Sequence, residues 1–194
     1  MKRLCIYCGS QTGEHPSYRE AAEKLGRLLV ERDLELVFGA GSIGLMGVVA
    51  DAVLAAGGKV IGVIPKFLSA REILHQTMTE THVVETMHER KALMEELSDA
   101  FIAMPGGLGT FEELFEILTW SQLGLHRKNI GLLNVRNYFD PLLQQIDHAI
   151  AEGFVKEKNR DLFVVSDNPA DLLDQLERHE LPEVKRWMTD EGEI

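Results

Sequence analysis

The sequence is poor in cysteine, has no excess of positive charge and lacks a long apolar run. Its 194 residues contain 20 basic and 31 acidic side chains, which gives a formal net charge of −11 at pH 7. This sign argues against DNA or RNA as a partner, because lysine and arginine supply most of the affinity of proteins for phosphate backbones. No apolar stretch reaches the roughly 18 residues that predict a membrane helix. We therefore expect a cytoplasmic protein that binds neither nucleic acid nor membranes.

The two cysteines, Cys5 and Cys8, fall within one predicted strand. Side chains three residues apart on a strand point to opposite faces, so a disulfide between them is not expected. The Cys-x-x-Cys spacing also occurs in thioredoxin-like redox motifs and in zinc sites, but a redox motif normally opens a helix and a second cysteine pair is missing. The histidines show no metal-ligand spacing. The sequence predicts two buried thiols in a reducing compartment and neither a metal nor a cofactor.

Short apolar runs alternate with amphipathic helical stretches, which is typical of a parallel sheet covered by helices. We predict one α/β domain over residues 1–194, a Rossmann-like doubly wound parallel sheet of about seven strands with helices on both faces. From about residue 181 onward we expect a short helix or a frayed tail. Strands are predicted at residues 4–8, 34–38, 59–64, 81–85, 100–104, 130–134 and 162–165. Helices are predicted over residues 18–32, 46–56, 87–97 and 114–123, and two more start at Asp140-Pro141 and at Asp167-Asn168-Pro169.

Three of the predicted strand ends are rich in glycine, at residues 8–10, 39–47 and 105–110. Ligands of open parallel sheets bind beyond the carboxyl ends of the strands. Glycine lets the backbone approach a ligand closely, and the helix that follows offers free N–H groups and a partial positive charge. Glycine also serves simply to end strands and make tight turns, but three such loops on one sheet edge favour a phosphate site.

The second loop contains Gly39-x-Gly41-x-x-Gly44, which matches the dinucleotide-binding pattern. It follows the second strand rather than the first, and the next strand ends without an acidic residue placed to bind a ribose. The Gly-Lys-Ser/Thr sequence of a Walker A loop does not occur. Neither NAD nor a P-loop nucleotide site is therefore indicated.

The third loop leads into a cluster of glutamates, Glu112, Glu113 and Glu116. Thr110 and Glu113 have the spacing of a capping box, so one interpretation is that they only satisfy the start of the helix. The other is functional, because a carboxylate about 5.4 Å along the helix from a bound phosphate could reach the sugar of a nucleotide.

Arg90 lies on the apolar stripe of the helix before the fifth strand, together with Met87, Leu93, Met94 and Leu97. An arginine on such a stripe either reaches to the rim or points inward at a polar partner. We favour the inward orientation, in which Arg90 meets the glutamate-bearing helix. Met46, Met87 and Met94 could line a base pocket, although methionines at helical spacing are more often part of the core.

These residues resemble the LONELY GUY family of cytokinin-activating phosphoribohydrolases, whose bacterial members were long labelled putative lysine decarboxylases. The resemblance covers nearly the whole chain. It rests on residues 41–47, 87–91 and 105–113, the last of which fits the family's Pro-Gly-Gly-x-Gly-Thr-x-x-Glu. Ala40 departs from the family pattern, which usually has another glycine there.

The resemblance implies hydrolysis of the N-glycosidic bond of an N6-substituted adenosine 5′-monophosphate, or of AMP itself, by a homodimer. Arg90 and Glu113 look like the catalytic pair. Residues that look like substrate contacts in the family are Glu72, Lys91, Gly107, Leu108, Gly109, Thr110, Phe111, Glu112 and Thr119. Further candidate contacts, from the three loops and from the stripe that carries Arg90, are Ser10, Gly41, Ser42, Gly106 and Met87.

An oxocarbenium-like sugar develops as the base departs in such a reaction. Glu113 is expected to stabilise that charge or to orient the attacking water, while Arg90 positions the substrate and polarises the departing side. One alternative is a binding module without chemistry, because the family's fold resembles that of a molybdenum cofactor carrier protein. A second is a lysine decarboxylase, but that chemistry needs pyridoxal phosphate bound to a lysine, and no lysine here lies in a recognisable cofactor motif.

Overall fold

The computed structural model describes residues 1–69 and 74–183. Within these ranges all seven strands belong to one sheet in the order β4-β3-β2-β1-β5-β6-β7, and every pair of neighbours is parallel. The strands are β1 (Arg3–Tyr7), β2 (Glu35–Phe38), β3 (Val60–Pro65), β4 (Glu80–Val84), β5 (Ala100–Ala103), β6 (Asn129–Leu133) and β7 (Phe163–Ser166). The predicted Rossmann-like fold class is confirmed. Strand order reverses between β1 and β5, and at such a switch point the loops diverge and leave a crevice for a ligand.

Helices cover both faces of this sheet. They are α1 (Pro16–Glu31), α2 (Gly44–Ala55), α3 (Lys66–Ser69), α4 (Met87–Leu97), α5 (Leu108–Gln122), α6 (Asp140–Ala151) and α7 (Pro169–Arg178), with 3-10 turns at Val135–Asn137 and Glu157–Leu162. One core cluster packs α1, α2 and α7 against the sheet, and the other packs α4, α5 and α6 against the opposite face. Successive side chains of β1 alternate between the two faces of the sheet. Leu4 and Ile6 belong to the first cluster, and Cys5 and Tyr7 belong to the second.

The two thiols are free and buried, as predicted. Cys5 contributes to one core cluster and Cys8 to the other, so they lie on opposite faces of the sheet. Burial raises the pKa of both thiols because the thiolate loses its hydration. Neither thiol is therefore prepared for redox or nucleophilic chemistry.

One predicted helix start is wrong. Helix α5 begins at Leu108 after the N-cap residue Gly107, so Thr110 lies inside the first turn and does not form a capping box with Glu113. The prediction placed this start too late because Gly109 disfavours a helix interior. Helix α6 begins at Asp140 as predicted, although its N-cap is Phe139 rather than Asp140. Asn168 caps α7 through the amide of Ala170 as expected.

The chain end is only partly described. Residues 179–183 form neither helix nor strand, and the remainder of the predicted C-terminal segment, 184–194, lies outside the described residues. In the described ranges no helix combines the length and the apolar character needed to cross a membrane.

Candidate active site

The three glycine-rich loops meet at one point of the sheet edge, as the sequence predicts. The Gly9 amide donates to the Pro105 carbonyl at 3.1 Å, and the Leu45 amide donates to the Gly9 carbonyl at 2.9 Å. A side chain at Gly44, where φ is +63°, would place a carbon 2.2 Å from the carbonyl carbon of Ser10. The loops after β1, β2 and β5 therefore pack backbone against backbone, and this contact requires glycine.

The N-terminus of α5 is open to solvent at this junction. Its N-cap residue, Gly107, is extended and offers no side-chain acceptor to the first amides of the helix. A Cβ added at Gly107 or at Gly109 would meet no described atom within 4 Å, whereas one at Gly106 would lie 2.1 Å from the Thr110 hydroxyl. Gly106 is thus needed for packing, but packing does not require the other two glycines. The free amides and the positive end of the helix dipole make this place suited to an anion.

A cleft of about 220 Å³ opens beside this helix start. It brings together seven of the sixteen predicted site residues, together with Met46, one of the methionines considered for a base pocket, and Cys8, which was not predicted to line a site. The cleft is lined by Cys8, Ser10, Met46, Arg90, Gly107, Leu108, Gly109, Thr110 and Glu113.

Arg90 points inward, as the apolar stripe predicted, and is only 7% exposed. Its Nη2 donates to the Gly39 carbonyl at 3.2 Å, and its Nη1 lies 3.6 Å from the Met87 sulfur. A side chain at Gly39 would lie 1.9 Å from Nη2, so this glycine is required by the arginine. The Gly39 carbonyl could not be identified from the sequence, because a backbone acceptor leaves no signature in residue type.

Glu113 faces Arg90 across the cleft. Its Oε1 lies 4.0 Å from Arg90 Nη2, and its side chain is 15% exposed. Burial raises the pKa of this carboxyl group to about 7, although the Arg90 charge opposes the shift and lowers it. A carboxyl group with a pKa near neutral pH can both take and return a proton at physiological pH.

Lys91 is the second buried cation of α4, but it is fully paired. Its Nζ contacts Glu112 Oε1 at 2.5 Å and Glu116 Oε1 at 2.8 Å. Desolvation favours loss of its proton, but hydrogen bonds to the two glutamates outweigh desolvation and raise the pKa of Lys91. Two of the three predicted glutamates, Glu112 and Glu116, therefore pair with Lys91, and the third, Glu113, faces Arg90.

Other predicted contacts lie around the cleft rather than in it. Phe111 stacks on Tyr138 with ring centroids 6.3 Å apart, and the Tyr138 hydroxyl donates to the Gly106 carbonyl. Thr119 is exposed, and its hydroxyl donates to the Phe115 carbonyl at 2.6 Å.

The second loop supports the cleft from behind. Gly41 leaves room for the Met46 side chain, since a Cβ there would lie 2.8 Å from Met46 Cε. Ser42 belongs to the same loop, and its carbonyl oxygen lies 2.1 Å from the place that a Cβ on Gly47 would take. Of the three methionines, Met94 is core, whereas Met46 lines the cleft and Met87 contacts Arg90. Glu72 lies outside the described residues.

Within residues 1–69 and 74–183, no group of three or more His, Cys, Asp or Glu side chains is arranged to hold a metal ion. The charged side chains of the cleft are one carboxyl group and one guanidinium, and they lie beside the hydroxyl groups of Ser10 and Thr110, the Cys8 thiol and a row of backbone amides.

Comparisons with known proteins show which family the chain resembles. The family described as possible lysine decarboxylase matches residues 46–176. The chain is 53% identical over 179 residues to the cytokinin riboside 5′-monophosphate phosphoribohydrolase LOG7 of Arabidopsis thaliana, which covers 92% of this chain and 82% of that protein. It is 51% identical over 178 residues to the corresponding rice enzyme, LOG of Oryza sativa subsp. japonica, with 92% and 74% covered.

Solved structures resemble the chain in fold alone. The molybdenum cofactor binding protein of Rippkaea orientalis superposes with a TM-score of 0.66 at 19% identity over 91% of this chain and 96% of that one. The molybdenum cofactor carrier protein of Chlamydomonas reinhardtii gives a TM-score of 0.68 at 18% identity, over the same shares of the two chains.

Proposed function

Because the chain belongs to the LONELY GUY family of phosphoribohydrolases, we propose that it hydrolyses the N-glycosidic bond of cytokinin riboside 5′-monophosphate, of AMP, or of both. The products are the free base and ribose 5-phosphate. The observation that carries this proposal is a buried pair, Arg90 and Glu113, that lines the same cleft as an uncapped, glycine-rich helix start.

The phosphate is bound at the N-terminus of α5. A Cβ added at Gly107 or Gly109 would meet no described atom within 4 Å, so neither glycine is needed by surrounding protein atoms. A phosphate group there gains hydrogen bonds to backbone amides and the favourable end of the helix dipole. This mode of binding is compatible with the acidic composition of the chain, since it needs no lysine or arginine at the phosphate.

Glu113 can accept and return the one proton that the reaction transfers. Water adds to the anomeric carbon, the glycosidic C–N bond breaks, and the water proton ends on the departing base. With a pKa of about 7, the Glu113 carboxylate can take that proton, and the resulting carboxylic acid can return it. Arg90 holds the substrate, and its positive charge stabilises the negative charge that develops on the departing base.

A decarboxylase does not suit these residues. Pyridoxal chemistry requires a lysine amine that can lose its proton to form a Schiff base. Lys91 is the buried lysine of the site, and Glu112 and Glu116 keep its ammonium form. We therefore assign Lys91 the role of holding α4 and α5 together beside the substrate.

Incubation of the protein with AMP tests the function directly. We expect adenine and ribose 5-phosphate to appear at a rate proportional to enzyme concentration, and a parallel assay with isopentenyladenosine monophosphate compares the two substrates. Protection of the protein against thermal unfolding by AMP, without release of adenine, would instead support a carrier.

The Gly109→Ala variant separates binding from folding at the phosphate site. Alanine is the better helix former, so stability should stay the same or rise by up to about 1 kcal/mol. The added methyl group projects into the space assigned to the phosphate, and AMP affinity should fall at least about tenfold, as for loss of a hydrogen bond to a charged group. Calorimetric titration of AMP into the variant measures this.

Gly106→Ala is the matched control, because its methyl group meets Thr110 rather than ligand space. It should lower the unfolding temperature. Unchanged AMP affinity in G109A would show that the phosphate is not bound at the N-terminus of α5.

We also propose a single-domain, cytoplasmic protein that forms a homodimer. The free, buried thiols are compatible with a reducing compartment. Leu108 is 86% and Phe115 42% exposed, and seven residues apart they share one side of α5. Large apolar side chains exposed together mark a contact surface. Sedimentation equilibrium should give twice the chain mass, and Phe115→Glu should reduce it.

A further inference from the structure

We propose that His75 is a positioning residue that holds the catalytic arginine in place through the loop between β2 and α2. This inference rests on the proposed function for its catalytic consequence. His75 is distant in sequence from Arg90 and does not line the cleft. It is nevertheless 6% exposed, and its imidazole and its backbone hold the loop that supplies the only carbonyl bonded to Arg90 among the described residues.

The loop adopts a backbone conformation that needs support. Ala40 has φ +64°, in the left-handed region that costs an L-residue about 1 kcal/mol or more. Its carbonyl accepts a hydrogen bond from the His75 amide at 3.1 Å, and Gly41 forms an antiparallel bridge with Leu74. Residues 74 and 75 therefore pair with the loop directly after Gly39 through an isolated bridge and one backbone hydrogen bond.

The imidazole connects residues 74 and 75 to the two elements that flank the loop, β2 and α2. Its Nε2 lies 2.9 Å from Asp51 Oδ1 on α2, and its ring meets the ring of Phe38, the last residue of β2, edge to face at 6.4 Å. Nδ1 is buried and has no hydrogen-bond partner in the described part of the chain. The Asp51 contact is thus the single polar tether of the ring.

This tether bears on Arg90 through Gly39. The Gly39 carbonyl accepts from Arg90 Nη2, and the absence of a side chain at Gly39 gives that nitrogen its space. Displacement of the loop would therefore remove a hydrogen bond and free the guanidinium to move from its place 4.0 Å from Glu113. A shift of about 1 Å in a positioned group can cost about a hundredfold in rate.

Two substitutions at His75 separate the aromatic ring from the polar tether. Phenylalanine keeps the buried aromatic ring against Phe38 but removes the nitrogen that faces Asp51. Glutamine places an amide nitrogen the same number of bonds from Cα as the imidazole Nε2 and so keeps the donor. Since the Asp51 side chain is 73% exposed, loss of its partner leaves no buried charge.

In AMP hydrolysis we expect H75F to lower kcat about tenfold or more, a typical effect of residues that orient a functional group, with a smaller change in KM. H75Q should restore most of the rate. Asp51→Ala should reproduce H75F, and Asp51→Asn, which keeps the acceptor oxygen, should not.

A second readout does not depend on the reaction. Phenylglyoxal modifies accessible guanidinium groups. Mass spectrometry of the digested protein measures the modification of Arg90 separately from that of the other arginines. Arg90 should react faster in H75F than in the wild type and in H75Q, with unfolding temperatures measured for all three.

Wild-type turnover in H75F, or Arg90 protection equal to the wild type, would overturn the proposal. If the wild type released no adenine while H75F still exposed Arg90, the positioning role would stand and the proposed function would fail.

Discussion

Replacing Glu113 by glutamine is expected to slow AMP hydrolysis at least about a hundredfold, the lower end for a positioned acid or base. Glutamine fills the same space but cannot take a proton from water. In the wild type, kcat/KM should rise with pH through about 7 as Glu113 loses its proton. The residual activity of E113Q should lack that rise. Initial rates of adenine release across a pH series measure both effects.

The same substitution should stabilise the fold in alkaline solution. Burial raises the pKa of Glu113 to about 7, above its ordinary value of 4.5, so the folded protein binds this proton more tightly than the unfolded chain. The stability that this tighter proton binding contributes is fully present below the pKa of Glu113 in the unfolded chain. It is lost as the pH rises through the pKa of Glu113 in the folded protein. Above pH 7 the ionised carboxylate therefore costs up to about 3 kcal/mol, which E113Q avoids. Urea unfolding at about pH 8 and pH 5 should show the gain shrinking as pH falls.

Glu96→Gln is the matched control, because Glu96 is an exposed residue on α4 that the site does not use. It should leave both turnover and the pH dependence of stability unchanged. Near-normal turnover in folded E113Q would remove Glu113 from the chemistry. A gain in stability without a loss of rate would leave it as a buried carboxyl group with no catalytic role.

Replacing Arg90 by alanine is expected to lower kcat/KM at least about a hundredfold, as for removal of an electrostatic group aimed at developing charge. Arg90 is the cation that faces Glu113, and its charge lowers the pKa of that carboxyl group. Any remaining activity of R90A should therefore show its acidic limb at higher pH than the wild type. Arg90→Lys keeps the charge but not the two-pronged contact with Gly39 and Met87, so it should recover only part of the rate.

Arg19→Ala provides the control for Arg90. Arg19 is half-exposed on α1, and its nearest carboxylate, in Glu23, lies 3.8 Å away. Wild-type rates in R19A and a large loss of rate in R90A would show that the loss comes from the place of Arg90 in the cleft and not from removal of a positive charge in general. A normal rate in R90A, or a pH profile that does not move, would contradict the pairing of Arg90 with Glu113.

The sequence was informative wherever local chemistry decides structure. Alternating apolar runs and helical stripes predicted all seven strands and the covering helices, because burial on both faces of a parallel sheet imposes that pattern. Glycine at three strand ends predicted the site edge, since parallel strands deliver their carboxyl ends to the same side. The stripe on α4 predicted an inward Arg90, and that orientation is confirmed.

The start of α5 could not be predicted from local rules. Gly109 is a poor helix former, and the Thr110 and Glu113 spacing imitates a capping box, so both signals placed the start too late. The structure begins the helix at Leu108 because the loops around Gly9 and Pro105 hold Gly107 in an extended conformation at the sheet edge. That packing joins residues almost a hundred positions apart.

By itself, the sequence determined which residues could take part: a glycine-rich anion site, an arginine and a group of glutamates. Only the tertiary structure decided their roles. It pairs Lys91 with Glu112 and Glu116 and leaves Glu113 with Arg90. It also sets the proton affinity of Glu113, because desolvation depends on what surrounds a carboxyl group in space and not on its neighbours along the chain.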